Sequence, residues 1–170
     1  MSVTDVRTDP IALTMTVTSE WDAPIDRVWQ LWADPRKLER WWGPPEYPVT
    51  IVEHDLRPGG QVGYYMTGPD GDKTYLWWKI VEVDEPHRLV AKDGGWADAD
   101  TDGQPNEAVE DGGPSGMVVT LAALPSGSTQ MVIEMGFPST EELQQMIDMD
   151  MAEGIAAAVA QIADILAVAV

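Results

Sequence analysis

The stretch STEELQQMIDMDMAEGIAAAVAQIADILAVAV, from Ser139 to Val170, constrains the fold more than any other. Leu143, Ile147, Met151, Ile155, Val159, Ile162 and Leu166 recur at steps of four or three, which draws one apolar stripe along a helix. Ser or Thr at its start and acids in its first turn cap that helix. A striped helix buries its apolar side against another layer. The rest of the chain therefore has to supply a surface long enough to receive it.

That surface is a sheet. From Ile11 the chain alternates, with Ile11, Leu13, Met15 and Val17 on one side and Ala12, Thr14, Thr16 and Thr18 on the other. Residues 1–10 read as a flexible tail, and 11–170 as one domain. After the first strand, Pro24 suits a first helical turn, and Val28, Leu31 and Trp32 share a helical face. Asp34-Pro35 breaks that helix, and Arg36–Trp42 forms a second short one, ended by Gly43-Pro44-Pro45. Next come strand-length runs rich in Val, Ile, Tyr and Trp. They are divided at Pro58-Gly59-Gly60, Gly68-Pro69-Asp70-Gly71 and Glu85-Pro86-His87, the pattern of consecutive antiparallel hairpins. Asp93–Asp111 is acidic, Gly- and Pro-bearing and poor in apolar residues, so it reads as a long solvated loop. A last hairpin turns near Pro125-Ser126-Gly127.

Charge and composition exclude several classes of function. Twenty-nine acids against ten Lys and Arg give −19, a surface that repels phosphate backbones and anionic membranes. Neither nucleic acid nor membrane is expected as a partner. The C-terminal apolar run is shorter than the roughly 20 residues a bilayer needs, and Gln161 and Asp164 interrupt it. There is no cysteine, hence no disulfide or thiolate metal site. The first residues carry no charged-then-apolar signal pattern, so a cytoplasmic location is the expectation. No phosphate loop and no nucleophile motif occurs, and no catalytic residue or cofactor is assigned. His54 and His87 are the only histidines. Strand neighbours of His54 point to opposite faces, so no metal site is expected.

Several motifs together resemble one family. They are DAPIDRVWQLWADPRKLERWWGP (22–44), HDLRPGG (54–60), GPDGDKTYLWWKIVEVDEPHRLV (68–90) and EGIAAAVAQIADIL (153–166). The chain resembles the START-like SRPBCC superfamily, and within it the family related to the C-terminal domain of the heat-shock-protein-90 ATPase activator. The resemblance implies an α+β helix-grip (START/Bet v 1-like) fold. In it a curved antiparallel sheet of about seven strands wraps one long C-terminal helix, with two short helices after the first strand. It also implies an internal cavity between sheet and helix. Members of the family usually carry Trp after the helix glycine, whereas Ile155 follows Gly154 here.

The expected function is binding of a small hydrophobic or aromatic molecule in that cavity. Trp32, Trp41, Trp42, Tyr65, Tyr75, Trp77, Trp96, Met146, Met151 and Ile155 are its candidate lining. Thioethers beside aromatic faces suit variable apolar shapes, although the same residues would fill a dry core equally well. On the strand after Gly60 alternation turns inward either Tyr65 or Tyr64 with Met66, and on the strand after Gly71 one of Trp77 and Trp78. His54, Asp55 and Arg57 are candidate polar groups. Asp55 and Arg57, two apart on one strand face, read either as a pair that pins the strand end to the two short helices or as a ligand-orienting pair at the cavity mouth. A cyclase-, aromatase- or hydrolase-like enzyme using the same cavity is the first alternative, with His54 and Asp55 as proton carriers. A chaperone cofactor is the second, and chaperone binding is the less expected because likeness of fold does not confer that role. An exposed LAVAV helix end is compatible with a homodimer.

Overall fold

A computed structural model describes residues 3–43, 46–97, 116–137, 139–148 and 151–167; at 3, 4, 93–97, 142, 146, 151 and 152 it describes the backbone alone. Its elements, in chain order, are β1 (Val3–Asp9), β2 (Thr14–Trp21), α1 (Ile25–Ala33), α2 (Pro35–Trp41), β3 (Val49–His54), β4 (Gln61–Thr67), β5 (Lys73–Asp84), β6 (Arg88–Ala97), β7 (Gly116–Ala123), β8 (Thr129–Gly136), α3 (Thr140–Asp148), α4 (Met151–Ala160) and α5 (Ile162–Ala167). The strands form one antiparallel sheet in the order β1-β2-β8-β7-β6-β5-β4-β3. α1 and α2 carry the chain from β2, near one edge, to β3 at the other. β8 returns to pair with β2, so the first and last hairpins close on each other.

Local chemistry explains the boundaries. Asp34 ends α1 and starts α2: its carboxylate accepts from the Arg36 N–H at 2.9 Å, and Pro35 takes the first helical position. The turns at 58–60, 68–71 and 125–127 lie where the Gly and Pro signals place them. Gly59, Gly71 and Gly127 take the left-handed conformation there.

The structure departs from the sequence expectations in four places. Residues 3–9 are not a tail but strand β1, paired with β2 from Asp5↔Thr18 to Asp9↔Thr14, which raises the strand count to eight. A register shift between Val3 and Asp5 breaks the period-two pattern that would have revealed it. Ile11 is not in a buried strand face; it is 93% exposed in the β1–β2 turn. The Asp9 carboxylate organises that turn by accepting from the N–H groups of Ile11 at 2.9 Å and Ala12 at 3.1 Å. Leu13 closes it in the left-handed region, φ 57°. Thirdly, the C-terminal stripe is not carried by one rod. α4 and α5 part at Gln161, with 3₁₀-type bonds Gln161 N–H to Ala158 C=O and Asp164 N–H to Gln161 C=O. Ile147, placed on the stripe, is exposed. Lastly, the backbone of β6 runs to Ala97, into the stretch expected as loop. The rest of that loop, 98–115, and the LAVAV end at 168–170 lie outside the described residues.

The core lies on the concave face. Met15, Val17, Ser19 and Trp21 of β2 point inward, with Met131 and Ile133 of β8, Val119 and Leu121 of β7, and Leu89 and Ala91 of β6 beside them. Both buried polar side chains on this face are satisfied. Ser19 Oγ accepts from Trp21 Nε1 at 2.9 Å, and Thr129 Oγ1 donates to the Ala23 carbonyl at 2.7 Å.

The bonds from Ala12 and then Ile11 hold the Asp9 carboxyl below its ordinary value of 3.8. A lowered carboxylate stabilises the fold fully above its unfolded pKa, and that contribution is lost as pH falls through the folded one. Asp9→Ala should therefore speed amide exchange at Ile11 and Ala12 near neutral pH. In the wild type the same acceleration should appear only at acid pH, below about 3.8.

Candidate functional site

Trp32, on α1, is the centre of an indole cluster that packs α1 and α2 onto the concave face. Its indole meets Trp41 edge-on at 4.8 Å, Trp42 at 5.6 Å and Trp78 at 6.2 Å between ring centroids. Trp42 and Trp78 lie 4.7 Å apart at 84°, and Tyr64 meets Trp78 at 5.7 Å. Edge-to-face contacts of this kind are worth about 0.5–1.5 kcal/mol each beyond area burial. Trp32 and Trp41 are fully buried, and each indole N–H has a partner. Trp41 Nε1 donates to the Leu31 carbonyl at 3.0 Å and Trp32 Nε1 to the Met131 sulfur at 3.4 Å. Trp42 is half-buried on the same cluster. The two adjacent tryptophans thus divide the work, one locking α2 onto α1 and the other facing Trp78 across the cluster.

The surrounding polar groups are tied into structure. His54 Nε2 donates to the Trp32 carbonyl at 2.9 Å, which pins the end of β3 to α1. Arg36 and Glu39 of α2 close the edge of the sheet at β3. Arg36 donates to the Ile51 carbonyl at 3.0 Å, and Glu39 accepts from the Ile51 N–H at 3.0 Å. Asp55 and Arg57 lie beyond the end of β3 in its turn rather than on a strand face. They pair with each other at 2.9 Å, exposed, where the chain folds so tightly that a Cβ on Gly60 would sit 2.2 Å from the Asp55 carbonyl oxygen. The pair holds its own turn and makes no bond to α1 or α2, so it does not pin the strand end to the helices as expected. The Gln161 amide, at the α4–α5 break, donates to the Gly43 carbonyl at 2.7 Å and reaches Trp41 C=O at 3.4 Å. It satisfies carbonyls at the exit of α2 that have no helical partner. A Cβ on Gly43 would lie 2.3 Å from the Tyr47 carbonyl oxygen, so glycine is required at this corner.

The expected lining residues are not all brought together. Trp32, Trp41 and Trp42 are, on the concave side, and Ile155 packs there from α4. Tyr65 and Tyr75 are not. They face each other across β4 and β5 at 5.4 Å, on the opposite face from Tyr64, Met66, Leu76 and Trp78, with Lys73 Nζ 4.7 Å above the Tyr65 ring. Of the Trp77–Trp78 pair it is Trp78 that points inward; Trp77 is buried on the other face, level with Gly63 and Gly95. Trp96 belongs to the β6 backbone, Met146 to α3 and Met151 to α4, and their side chains lie outside the described residues.

Burial varies along the strands. Towards the β7–β8 hairpin, Leu89, Val119, Leu121 and Met131 are sealed. At the other end Met66 and Leu76 are half-buried; so are Met135 and Ile155, which pack beside Phe137 and Leu143, while Met15 and Met117, level with Met135 on β2 and β7, are sealed. Sequence reasoning missed Leu76 and Met135, and left Trp78 open against Trp77. Met66 was one of two open alternatives on β4, an ambiguity that arises because both faces of that strand carry aromatics. A separate open depression of about 810 Å³ lies on the outer face of β1 and β2, floored by Thr14, Thr16 and Thr18. Asp5, Arg7, Asp9 and Glu134 line it beside Pro10 and Ala12.

A curved antiparallel sheet gripping a C-terminal helical segment, with two short helices at one end, is the helix-grip architecture. The family model described as activator of Hsp90 ATPase homolog 1-like protein matches residues 22–167, and the chain belongs to that family. It is similar to the crystal structure of protein Ms6760 from Mycobacterium smegmatis, with 45% identity over 97% of this chain and 98% of that one, TM-score 0.82. A solution structure of a protein from Arthrobacter aurescens is 41% identical over 98% and 92% of the two chains, TM-score 0.85. A crystal structure from Rhodobacter sphaeroides shares the fold at 19% identity over 98% and 99% of the chains, TM-score 0.78. No curated protein matches. Among the described residues, no helix is long and apolar enough to cross a membrane.

The bond from Gln161 to the exit of α2 is testable. Gln161→Ala leaves the buried Gly43 carbonyl without this donor and should cost about 1–3 kcal/mol, read by denaturant unfolding. Tryptophan fluorescence should shift as Trp42 loosens.

Proposed function

We propose that the chain binds a small hydrophobic or aromatic molecule between the concave face of the sheet and α4, at the end of the sheet where β6 stops and β7 begins. One observation carries this reading. Met66, Leu76, Met135 and Ile155 belong to the inward apolar set, yet each keeps part of its surface uncovered while their neighbours further along the same strands are sealed. Apolar surface held on the inside of a fold and left open is what an apolar ligand gains by covering, at about 25 cal/mol per Å². Trp42 and Trp78, set edge to face, supply an aromatic corner beside Leu76, and Thr74, opposite Met66 on the same face, supplies a hydroxyl at the rim. Thioethers adapt to ligands of differing outline.

The enzyme reading gains no support from the residues that suggested it. His54 is committed to the Trp32 carbonyl and Asp55 to Arg57. Membership of the family gives the chaperone reading no residue of this chain to rest on.

Native mass spectrometry of protein purified from its own host tests the proposal. The expected result is a co-purifying apolar molecule of low mass, and a raised Tm with apolar aromatic compounds. Leu76→Trp, which fills the open end, should abolish both effects while leaving the circular dichroism of the fold unchanged. Absence of any adduct, together with an unmoved Tm across a panel of such compounds, would overturn it.

A further inference from the structure

The two edges of the sheet are treated differently. At β3 the exposed backbone is occupied by Arg36 and Glu39 of α2, which take up both polar groups of Ile51. At the other edge, among the described residues, β1 pairs only with β2. β1 runs in regular register from Asp5 to Asp9, so its outer rim offers a straight row of backbone donors and acceptors. Such a rim accepts another strand unless charges oppose it.

The charges on β1 do not oppose one particular partner. Asp5 and Arg7 flank Val6 and project from the outer face, level with Thr18 and Thr16 of β2, and they pair with each other along the strand. Val6 points to the inner face and is half-buried against the core. In an antiparallel pairing of two β1 strands about a twofold axis at Val6, Val6 of each copy meets Val6 of the other. Asp5 of each copy then meets Arg7 of the other. Opposite charges directly across a strand pair stabilise it, and like charges there oppose it. Moving the axis by one residue, to Arg7, would set the two arginines against each other and Asp5 against Asp9. The order Asp-Val-Arg is therefore self-complementary in one register only.

We propose that two copies of this chain associate edge to edge through β1, antiparallel about Val6, joining their eight-stranded sheets into one continuous sheet. The fully exposed Ile11, in the turn that follows β1, lies next to this edge. The net charge of −19 acts against association at long range, so the pairing strengthens as salt screens that repulsion over about 10 Å at 0.1 M ionic strength. The contact across β1 is short-range and survives the same salt.

The test is sedimentation velocity of the full chain over a concentration series at physiological ionic strength. The wild type should dimerise. Arg7→Asp places only acids opposite one another and Asp5→Arg only bases, so each variant alone should be monomeric or weakened by about tenfold or more. An equimolar mixture of the two should dimerise again as a heterodimer, because each Asp then faces an Arg on the other chain. Both substitutions break the Asp5–Arg7 pair within a strand, so recovery on mixing reports contact between chains alone. Circular dichroism of each variant controls for folding. If a variant fails to fold, Val6→Lys replaces it and should leave the chain monomeric. A wild type monomeric at every concentration overturns the proposal, as does a dimer that neither charge reversal weakens, or a mixture that stays monomeric.

Discussion

Trp32 is the contact on which the rest of the structure depends. Its ring touches Trp41, Trp42 and Trp78, its N–H reaches the sulfur of Met131, and its carbonyl holds His54. One side chain on α1 thereby joins α2, β5 and β8, while its backbone holds the end of β3. A strongly curved sheet of eight strands has more concave surface than two short helices can cover. The indole cluster closes the part beneath α1 and α2 with large rigid groups that lose little conformational freedom on burial. The remaining concave surface falls to α3, α4 and α5.

The segmentation of the C-terminal stripe follows from that geometry. The break at Gln161 turns an amide towards the carbonyls of Trp41 and Gly43, and α5 continues with Ile162 and Ile165 on the core. Arg27 of α1 donates to the Leu166 carbonyl at 2.9 Å and holds the end of α5. The helical segment is thus fixed at its α5 end by polar bonds. At its α4 end it packs through Ile155 beside half-buried Met135.

Much of the fold was legible in the sequence, for identifiable reasons. Pro-Gly-Gly and Gly-Pro-Asp-Gly turns divide the strands, and Asp34-Pro35 separates two helices, because these residues fix backbone angles locally. β1 was not legible, since Val3 and Val6 fall out of alternation at the bulge and the sequence around them is polar. The direction of β4 and β5 was not legible either: Tyr64 beside Tyr65 and Trp77 beside Trp78 satisfy both faces, and only pairing with Ile51 and the Trp32 cluster selects one. The helix break was hidden because Val159 and Ile162 keep the apolar spacing across Gln161. The candidate site was half legible. The tryptophans of α1 and α2 were found, but as a sealed cluster beside the open surface rather than its whole lining.

The central claim is that a ligand covers the half-buried residues Met66, Leu76 and Met135 and leaves the sealed Trp32 cluster untouched. Methyl NMR of methionine-labelled protein, titrated with an apolar aromatic compound that raises its Tm, measures this directly. The account predicts that the Met66 and Met135 signals move and that Met131, which holds the Trp32 N–H, stays still. A shift at Met131 with Met66 and Met135 unmoved would contradict it.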